Sequence, residues 1–169
     1  MALQLGHRLS IDLDFFGKIE EDTESIVENL LTQGFDVKIE SNSKHIHVFK
    51  INGIKTDMVN YRYAWIDDMI EDGEIRLASL KDIAAMKVAA ITNRGTKKDF
   101  IDIYFLLNYF SLNAIMGFYL EKFPEGSTFL AYKSLSYFTD AEKQAMPKML
   151  IPTNWDKVKN SIITEIKKI

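Results

Sequence analysis

The sequence has no cysteine among its 169 residues and only three prolines. The lack of cysteine excludes disulfides and thiolate zinc sites, and a reducing compartment is compatible with it. No apolar run approaches the roughly 20 residues that cross a bilayer, and the N-terminus lacks the basic segment and apolar core of a signal peptide. We therefore expect a cytoplasmic protein that does not engage a membrane.

Positive charge is not in excess either. The chain has 21 lysines and arginines against 24 aspartates and glutamates, which gives a formal net charge of −3. A nucleic acid would have to be bound by a local cluster of cations rather than by the field of the whole protein. The sequence also lacks the Gly-x-Ser-x-Gly pattern of acyl transfer and the His-Glu-x-x-His pattern of zinc proteolysis.

The most informative stretch spans residues 6–16 and contains an Asp-x-Asp pattern. If residues 10–15 form a strand, Asp12 and Asp14 project from one face while Ile11 and Leu13 enter the core. Mg²⁺ prefers oxygen ligands, usually takes one or two protein carboxylates and leaves its other positions to water and phosphates. The pair is therefore typical of a metal and nucleotide site. The alternative is an exposed edge strand whose outer face carries aspartate.

A helix and three strands follow this stretch. Asp22 and the residues after it predict a helix start, and Gly34 ends that helix. Alternating apolar residues predict strands near 35–39 and 46–51. Asn52-Gly53 is a strong hairpin signal, so a third strand at 54–59 should return antiparallel to the second.

The third strand contributes a further carboxylate. Lys55 and Asp57 are two residues apart, so they share one face of that strand. Asp57 is thus a carboxylate on a strand that can lie beside the strand of Asp12 and Asp14.

Two helices downstream carry cations. Lys87 and Arg94 are seven residues apart, which places them on nearly the same side of the first helix. The second helix begins near Lys97, and in it Asp99 and Asp102 face the same way. Apolar helical segments around residues 112–123, 127–138 and 153–169 follow and predict a small helical bundle.

Carboxylates on strands and cations on helices are the combination that phosphoryl or nucleotidyl transfer needs. Carboxylates hold metal ions that bridge phosphate oxygens, and lysine or arginine neutralises charge as the leaving group departs. The mechanism requires no nucleophilic side chain. The downstream cations are Lys87, Arg94, Lys97 and Lys98.

Four segments in this order resemble the AbiEii/AbiGii family of nucleotidyltransferase toxins from abortive-infection toxin–antitoxin systems. They are residues 5–16, 55–57, 82–87 and 94–102. The resemblance implies an α+β minimal nucleotidyltransferase fold, with a small mixed sheet flanked by helices and a helical C-terminal part. It implies a nucleotidyltransferase core at residues 1–108 and a helical extension at residues 109–169 packed on that core.

The resemblance also implies roles for individual residues. Asp12 and Asp14 would bind Mg²⁺, with Asp57 as the third carboxylate or as a base. Lys87 would contact the triphosphate or the transferred phosphoryl group, and Asp82 would hold Lys87 or the sheet end in place. The residues expected to bind substrate are Arg8, Lys55, Asp82, Arg94, Lys97, Asp99 and Asp102.

The family further implies the reaction partners. The donor is a nucleoside triphosphate, characterised members modify tRNA acceptor ends, and others are described as GTP-binding. A cognate antitoxin is a possible partner. Two residues before the acidic strand keep open roles: His7 is a packing residue or a ligand, and Arg8 reaches a phosphate or pairs with a carboxylate.

The start of the sequence departs from the family pattern. A Gly-Gly-Ser/Thr turn stands roughly a dozen residues before the first aspartate in the family, whereas this sequence begins Met1-Ala2-Leu3 without it. Either the turn lies before the start of this sequence, or this chain is a relative that has lost it. Such a turn supplies phosphate-binding N–H groups, so both explanations predict weaker nucleotide binding. Two alternative functions also stay open: a catalytically impaired binding scaffold, and a nucleotidyltransferase that acts on a small molecule.

Overall fold

A computed structural model describes residues 1–169, and their contacts divide the chain into two compact units. The first, which we call the sheet unit, is Ser10–Tyr63, and the second, the helical unit, consists of Met1–Leu9 and Ala64–Ile169. These units do not coincide with residues 1–108 and 109–169, whose division by function stays a prediction. None of the helices has the length and apolar character that crossing a membrane requires.

The sheet unit holds one helix and four strands. In chain order they are β1 (Asp12–Gly17), α2 (Thr23–Thr32), β2 (Val37–Asn42), β3 (Ile46–Ile51) and β4 (Ile54–Asn60), after α1 (Ala2–Leu5) of the helical unit. The strand order is β1-β4-β3-β2. β1 is parallel to β4, while β4, β3 and β2 are antiparallel neighbours. The sheet is therefore mixed, which confirms the predicted α+β class.

Local sequence signals explain the elements of this unit. The Asp22 carboxylate accepts a hydrogen bond from the Ser25 amide and so caps α2. Asn52 and Gly53 adopt φ angles of 47° and 83°, the left-handed pair that a two-residue hairpin between β3 and β4 requires. Both predictions, of the helix start and of the hairpin, are confirmed.

The expected burial of Ile11 and Leu13 is wrong. Ile11 is 82% exposed and Leu13 is 49% exposed. Ile11 precedes β1, and β1 is an edge strand that pairs only with β4. The helix α2 packs towards the other end of the sheet, against β2 and, through the bond between the Thr23 hydroxyl and His47, against β3. The apolar side chains of β1 therefore keep solvent contact.

After α1, the helical unit has a short two-stranded hairpin followed by six helices. In chain order they are β5 (Ile70–Asp72), β6 (Ile75–Leu77), α3 (Leu80–Asn93), α4 (Lys97–Leu106), α5 (Leu112–Lys122), α6 (Thr128–Leu135), α7 (Thr139–Glu142) and α8 (Trp155–Ile166). The predicted helical C-terminal part is confirmed. The helices of this C-terminal part, α5 to α8, pack with α3 and α4 around a core that includes Val88, Phe100, Ile115 and Val158.

Candidate functional sites

The first candidate site lies in the sheet unit, where β1 and β4 run side by side. Asp12 of β1 is opposite Lys55 of β4, and Asp14 is opposite Asp57. Neighbouring strands are about 4.8 Å apart, and partners in register share a face. We call these four residues the carboxylate cluster. The expectation that the strand of Asp57 can lie beside that of Asp12 and Asp14 is confirmed, and the register adds that the three aspartates share a face.

Lys55 supplies the cluster with its own cation. Its Nζ atom donates to both carboxylate oxygens of Asp57, at 2.7 and 2.8 Å. The pKa of Lys55 is raised because of this hydrogen bond; partial burial opposes the rise, and the charges of Asp57, Asp12 and Asp14 add to it. Lys55 thus carries a firmly held positive charge among three carboxylates.

The donor set of the cluster suits a hard divalent cation. Its oxygens belong to carboxylates, which are ligands that such a cation prefers. In the structure the ammonium of Lys55 neutralises Asp57. The residues that would hold Mg²⁺ are Asp12, Asp14 and Asp57. In the conformation described, no three histidine, cysteine, aspartate or glutamate side chains converge on a common metal position.

The second candidate site lies in the helical unit and centres on Lys87 of α3. Its Nζ atom lies 2.9 Å from Asp99 Oδ1 and 2.7 Å from Asp102 Oδ2. Both aspartates of α4 are fully buried, whereas the Lys87 side chain is 19% exposed. The spacing argument that placed Asp99 and Asp102 on one side of their helix is confirmed.

Asp102 is the most heavily bonded carboxylate of this group. It accepts from His7 Nε2 at 2.8 Å and from Arg8 Nε and Nη2 at 2.7 and 2.8 Å. Burial alone raises the pKa of Asp102, but the hydrogen bonds from Arg8 and His7 and the charges of Lys87 and Arg8 outweigh burial and hold it well below its usual range. Of the two roles open to Arg8, the structure shows carboxylate pairing.

Asp99 has its own set of donors. It accepts from Lys87 and from the Thr96 hydroxyl, and Arg94 Nε lies 3.6 Å away. Burial opposes ionisation of Asp99, yet the charge of Lys87 and the bond from Thr96 lower its pKa. The Arg94 side chain is 62% exposed, so it is the most accessible cation of this set. We call the set the buried ion network; it consists of His7, Arg8, Lys87, Arg94, Thr96, Asp99 and Asp102.

Asp82 is not part of that network. Its carboxylate accepts from Lys122 Nζ at 2.6 Å, from the Ser79 hydroxyl at 2.6 Å and from the amides of Ile66 and Asp67. Asp82 and Lys122 are both fully buried. These contacts hold residues 64–67 against α3 and α5, and the predicted substrate role of Asp82 stays a prediction.

Lys97 is also directed elsewhere. Only 6% of it is exposed, its Nζ atom donates to the Glu142 carbonyl at 3.2 Å, and it lies over the Trp155 ring. Lys97 thus lies apart from the ion pairs of Lys87, and its predicted contact with substrate stays a prediction.

Sequence reasoning overlooked Lys122 and Thr96 and left the role of His7 open. The role of Lys122 had no signal, because its partner Asp82 is 40 residues away. His7 was ambiguous, since one histidine in a turn reports nothing about a partner 95 residues away. Thr96 did have a signal: it stands three residues before Asp99, as in a capping box.

Comparison with known proteins gives a family match over most of the chain. Residues 32–168 match the AbiEii family, described as nucleotidyl transferase AbiEii toxin, type IV TA system. This range includes Asp57, Lys87, Asp99 and Asp102 and begins after Asp12 and Asp14. An uncharacterised protein of Aquifex aeolicus (strain VF5), aq_aa25, is 30% identical over 172 residues, which cover 99% of this chain and 82% of that protein.

Two crystal structures share the fold. A proposed nucleotidyltransferase from H. pylori superimposes with a TM-score of 0.59 at 16% identity, covering 99% of this chain and 82% of that chain. JHP933 from Helicobacter pylori gives a TM-score of 0.56 at 14% identity, over 95% of this chain and 75% of the other. At these identities the likeness concerns the fold alone, and it confirms the fold expected from the sequence.

Proposed function

The chain belongs to the AbiEii family of nucleotidyltransferases, and from that premise we propose that it transfers a nucleotide from a nucleoside triphosphate to an acceptor in a Mg²⁺-dependent reaction. One observation carries the proposal: three aspartates lie on one face of two adjacent parallel strands. Carboxylates directly opposite each other are destabilising unless a cation lies between them. Such an arrangement therefore favours a cation-binding role.

The carboxylate cluster would hold the metal. Asp12, Asp14 and Asp57 supply oxygen ligands, and Mg²⁺, when bound, neutralises charge on the phosphate oxygens of the donor. Asp57 is 23% exposed; it is also the carboxylate that we propose as the base for the acceptor hydroxyl. Neither role needs a covalent intermediate on the protein.

The buried ion network would present cations to phosphate. Lys87 keeps its charge because Asp99 and Asp102 flank its Nζ atom, and part of its side chain still meets solvent. Arg94 is more exposed and is anchored near Asp99. We propose that Lys87 and Arg94 bind substrate phosphates, while Arg8 positions Lys87 through the Asp102 that they share.

We propose tRNA as the acceptor and a toxin role, with a cognate antitoxin as partner. Family membership supports the toxin role, and the resemblance to members that modify tRNA ends supports the acceptor. Lysine and arginine contacts to phosphate position a nucleic acid without reading its sequence. We therefore expect the acceptor to be selected by the shape of its end.

The test is a transfer assay with Mg²⁺, total tRNA and each labelled nucleoside triphosphate in turn, read as label on RNA in a gel. We expect transfer from one nucleotide, and we expect Asp14→Asn to abolish it without loss of folding. Asp36→Asn is a matched control, because Asp36 is an exposed aspartate of the same unit outside the strands.

The outcomes separate the alternatives. Unchanged transfer by Asp14→Asn would remove the carboxylate cluster from the reaction. If label moves to small molecules and never to RNA, the acceptor is a small molecule and not tRNA. Absence of label with every nucleotide would favour a binding scaffold over an enzyme.

A further inference from the structure

We propose that Lys55 is a built-in counterion that competes with the metal for the carboxylate cluster, so that metal and nucleotide bind together rather than separately. This inference rests on the proposed function, and it concerns the order of loading at the same site. It assigns Lys55 two positions: on Asp57 before substrate binds, and on a donor phosphate afterwards.

The first position is the one that the structure shows. Lys55 Nζ contacts both oxygens of Asp57, at 2.7 and 2.8 Å, so both ligand atoms of that carboxylate are engaged. The ammonium is also attracted by Asp12 and Asp14. A divalent cation that used Asp57 would have to displace this ammonium, because two cations on one carboxylate repel each other.

The surroundings explain why displacement is unfavourable without an anion. Lys50 of β3 lies directly opposite Lys55, and Lys38 of β2 lies opposite Lys50. Like charges opposite one another on a sheet are destabilising. Along its own row, a Lys55 side chain that leaves Asp57 therefore has Asp12 on one side and the two lysines on the other, so Asp12 is its one remaining anionic neighbour in that row.

A nucleoside triphosphate removes that obstacle. Its phosphates offer Lys55 a new anionic partner at the moment when Mg²⁺ takes over the carboxylate oxygens. Lys55 is 44% exposed, and its flexible four-carbon stem lets the ammonium move without a change in the backbone. Metal and nucleotide should therefore bind cooperatively, with Lys55 as the residue that couples them.

The experiment measures Mn²⁺ binding by electron paramagnetic resonance, with and without a non-hydrolysable nucleoside triphosphate. Two unit charges about 4 Å apart still interact measurably in water, and a divalent ion doubles that interaction. We expect Lys55→Met to bind Mn²⁺ alone at least about tenfold more tightly than wild type, while the enhancement by nucleotide shrinks. Lys55→Gln should behave in the same way.

Lys38→Met is the matched control. It removes the same charge from the same face two strands away from β4, a distance that salt largely screens. Its Mn²⁺ affinity and nucleotide enhancement should equal those of wild type. Melting curves for each variant establish that the sheet unit is folded.

The failure of the inference and that of the proposed function give different results. If Asp14→Asn weakens Mn²⁺ binding but Lys55→Met binds no more tightly than wild type, Lys55 is not a competitor and the inference is wrong. If Asp14→Asn binds Mn²⁺ as wild type does, the carboxylate cluster is not the metal site and the proposed function loses its basis.

Discussion

The Nζ atom of Lys87 lies 2.7 Å from Oδ2 of Asp102, although α3 and α4 are separate helices joined by a glycine turn. Asp102 is fully buried and also bonds Arg8, near the start of the chain. Removing one partner of such a buried group leaves charge uncompensated, which costs more than the pair itself contributes. Asp102 therefore links the first nine residues to the helices in both structure and stability.

Replacing Asp102 with asparagine should destabilise the helical unit strongly. Arg8 and Lys87 would each lose a charged partner while remaining mostly buried, so we expect a loss of about 3 kcal/mol in the free energy of unfolding, measured by urea titration. Asp156→Asn is the control, because Asp156 is 83% exposed and its pairing with Lys159 is screened by water. Equal stability of the two variants would contradict a structural role for Asp102.

Stability should fall steeply in acid. The pKa of Asp102 and that of Asp99 lie below the value of about 3.9 expected in the unfolded chain. Their contribution is thus fully present above about pH 4 and is lost as the pH falls through the folded-state pKa. We expect the free energy of unfolding to decline below pH 4 in wild type and to decline less in Asp102→Asn. Parallel pH profiles would show that Asp102 does not titrate with folding.

The carboxylate of Asp82 should control the opening of residues 64–67. The Ile66 and Asp67 amides donate to it, at 2.9 and 3.3 Å, so Asp82→Ala should accelerate their hydrogen exchange at least about tenfold. The Ser25 amide, which donates to Asp22 in the sheet unit, should keep its rate. If Val88 in the core accelerates equally, the variant has lost global stability instead of a local clamp.

Local chemistry made much of the architecture predictable. The left-handed preference of Asn52-Gly53 specified the hairpin, and the oxygen of Asp22 marked the start of α2. Helical spacing placed Asp99 and Asp102 on one side of α4, and strand spacing placed Lys55 beside Asp57. These features depend on neighbours within a few residues, where backbone geometry alone decides which side chains meet.

Burial was less predictable. An apolar residue in a strand is expected inside, yet Leu13 remains half exposed because β1 is an edge strand and α2 packs on β2, at the opposite edge of the sheet. Lys97 and Lys87 were both predicted to bind substrate as cations of the downstream helices, but Lys97 packs over Trp155. The helix period specifies the face on which a side chain lies, but not which element covers that face.

The sequence by itself determined the types of the elements, the position of Asp12 and Asp14 on one face of the same strand, and the resemblance that led to the family. Only the tertiary structure decided that Asp14 lies opposite Asp57, that Lys55 already neutralises Asp57, and that Asp102 unites His7, Arg8 and Lys87. The physical reason is the separation of these residues along the chain. Strand register and buried ion pairs join residues tens of positions apart, and they are selected by the free energy of the whole packed chain rather than by any local preference.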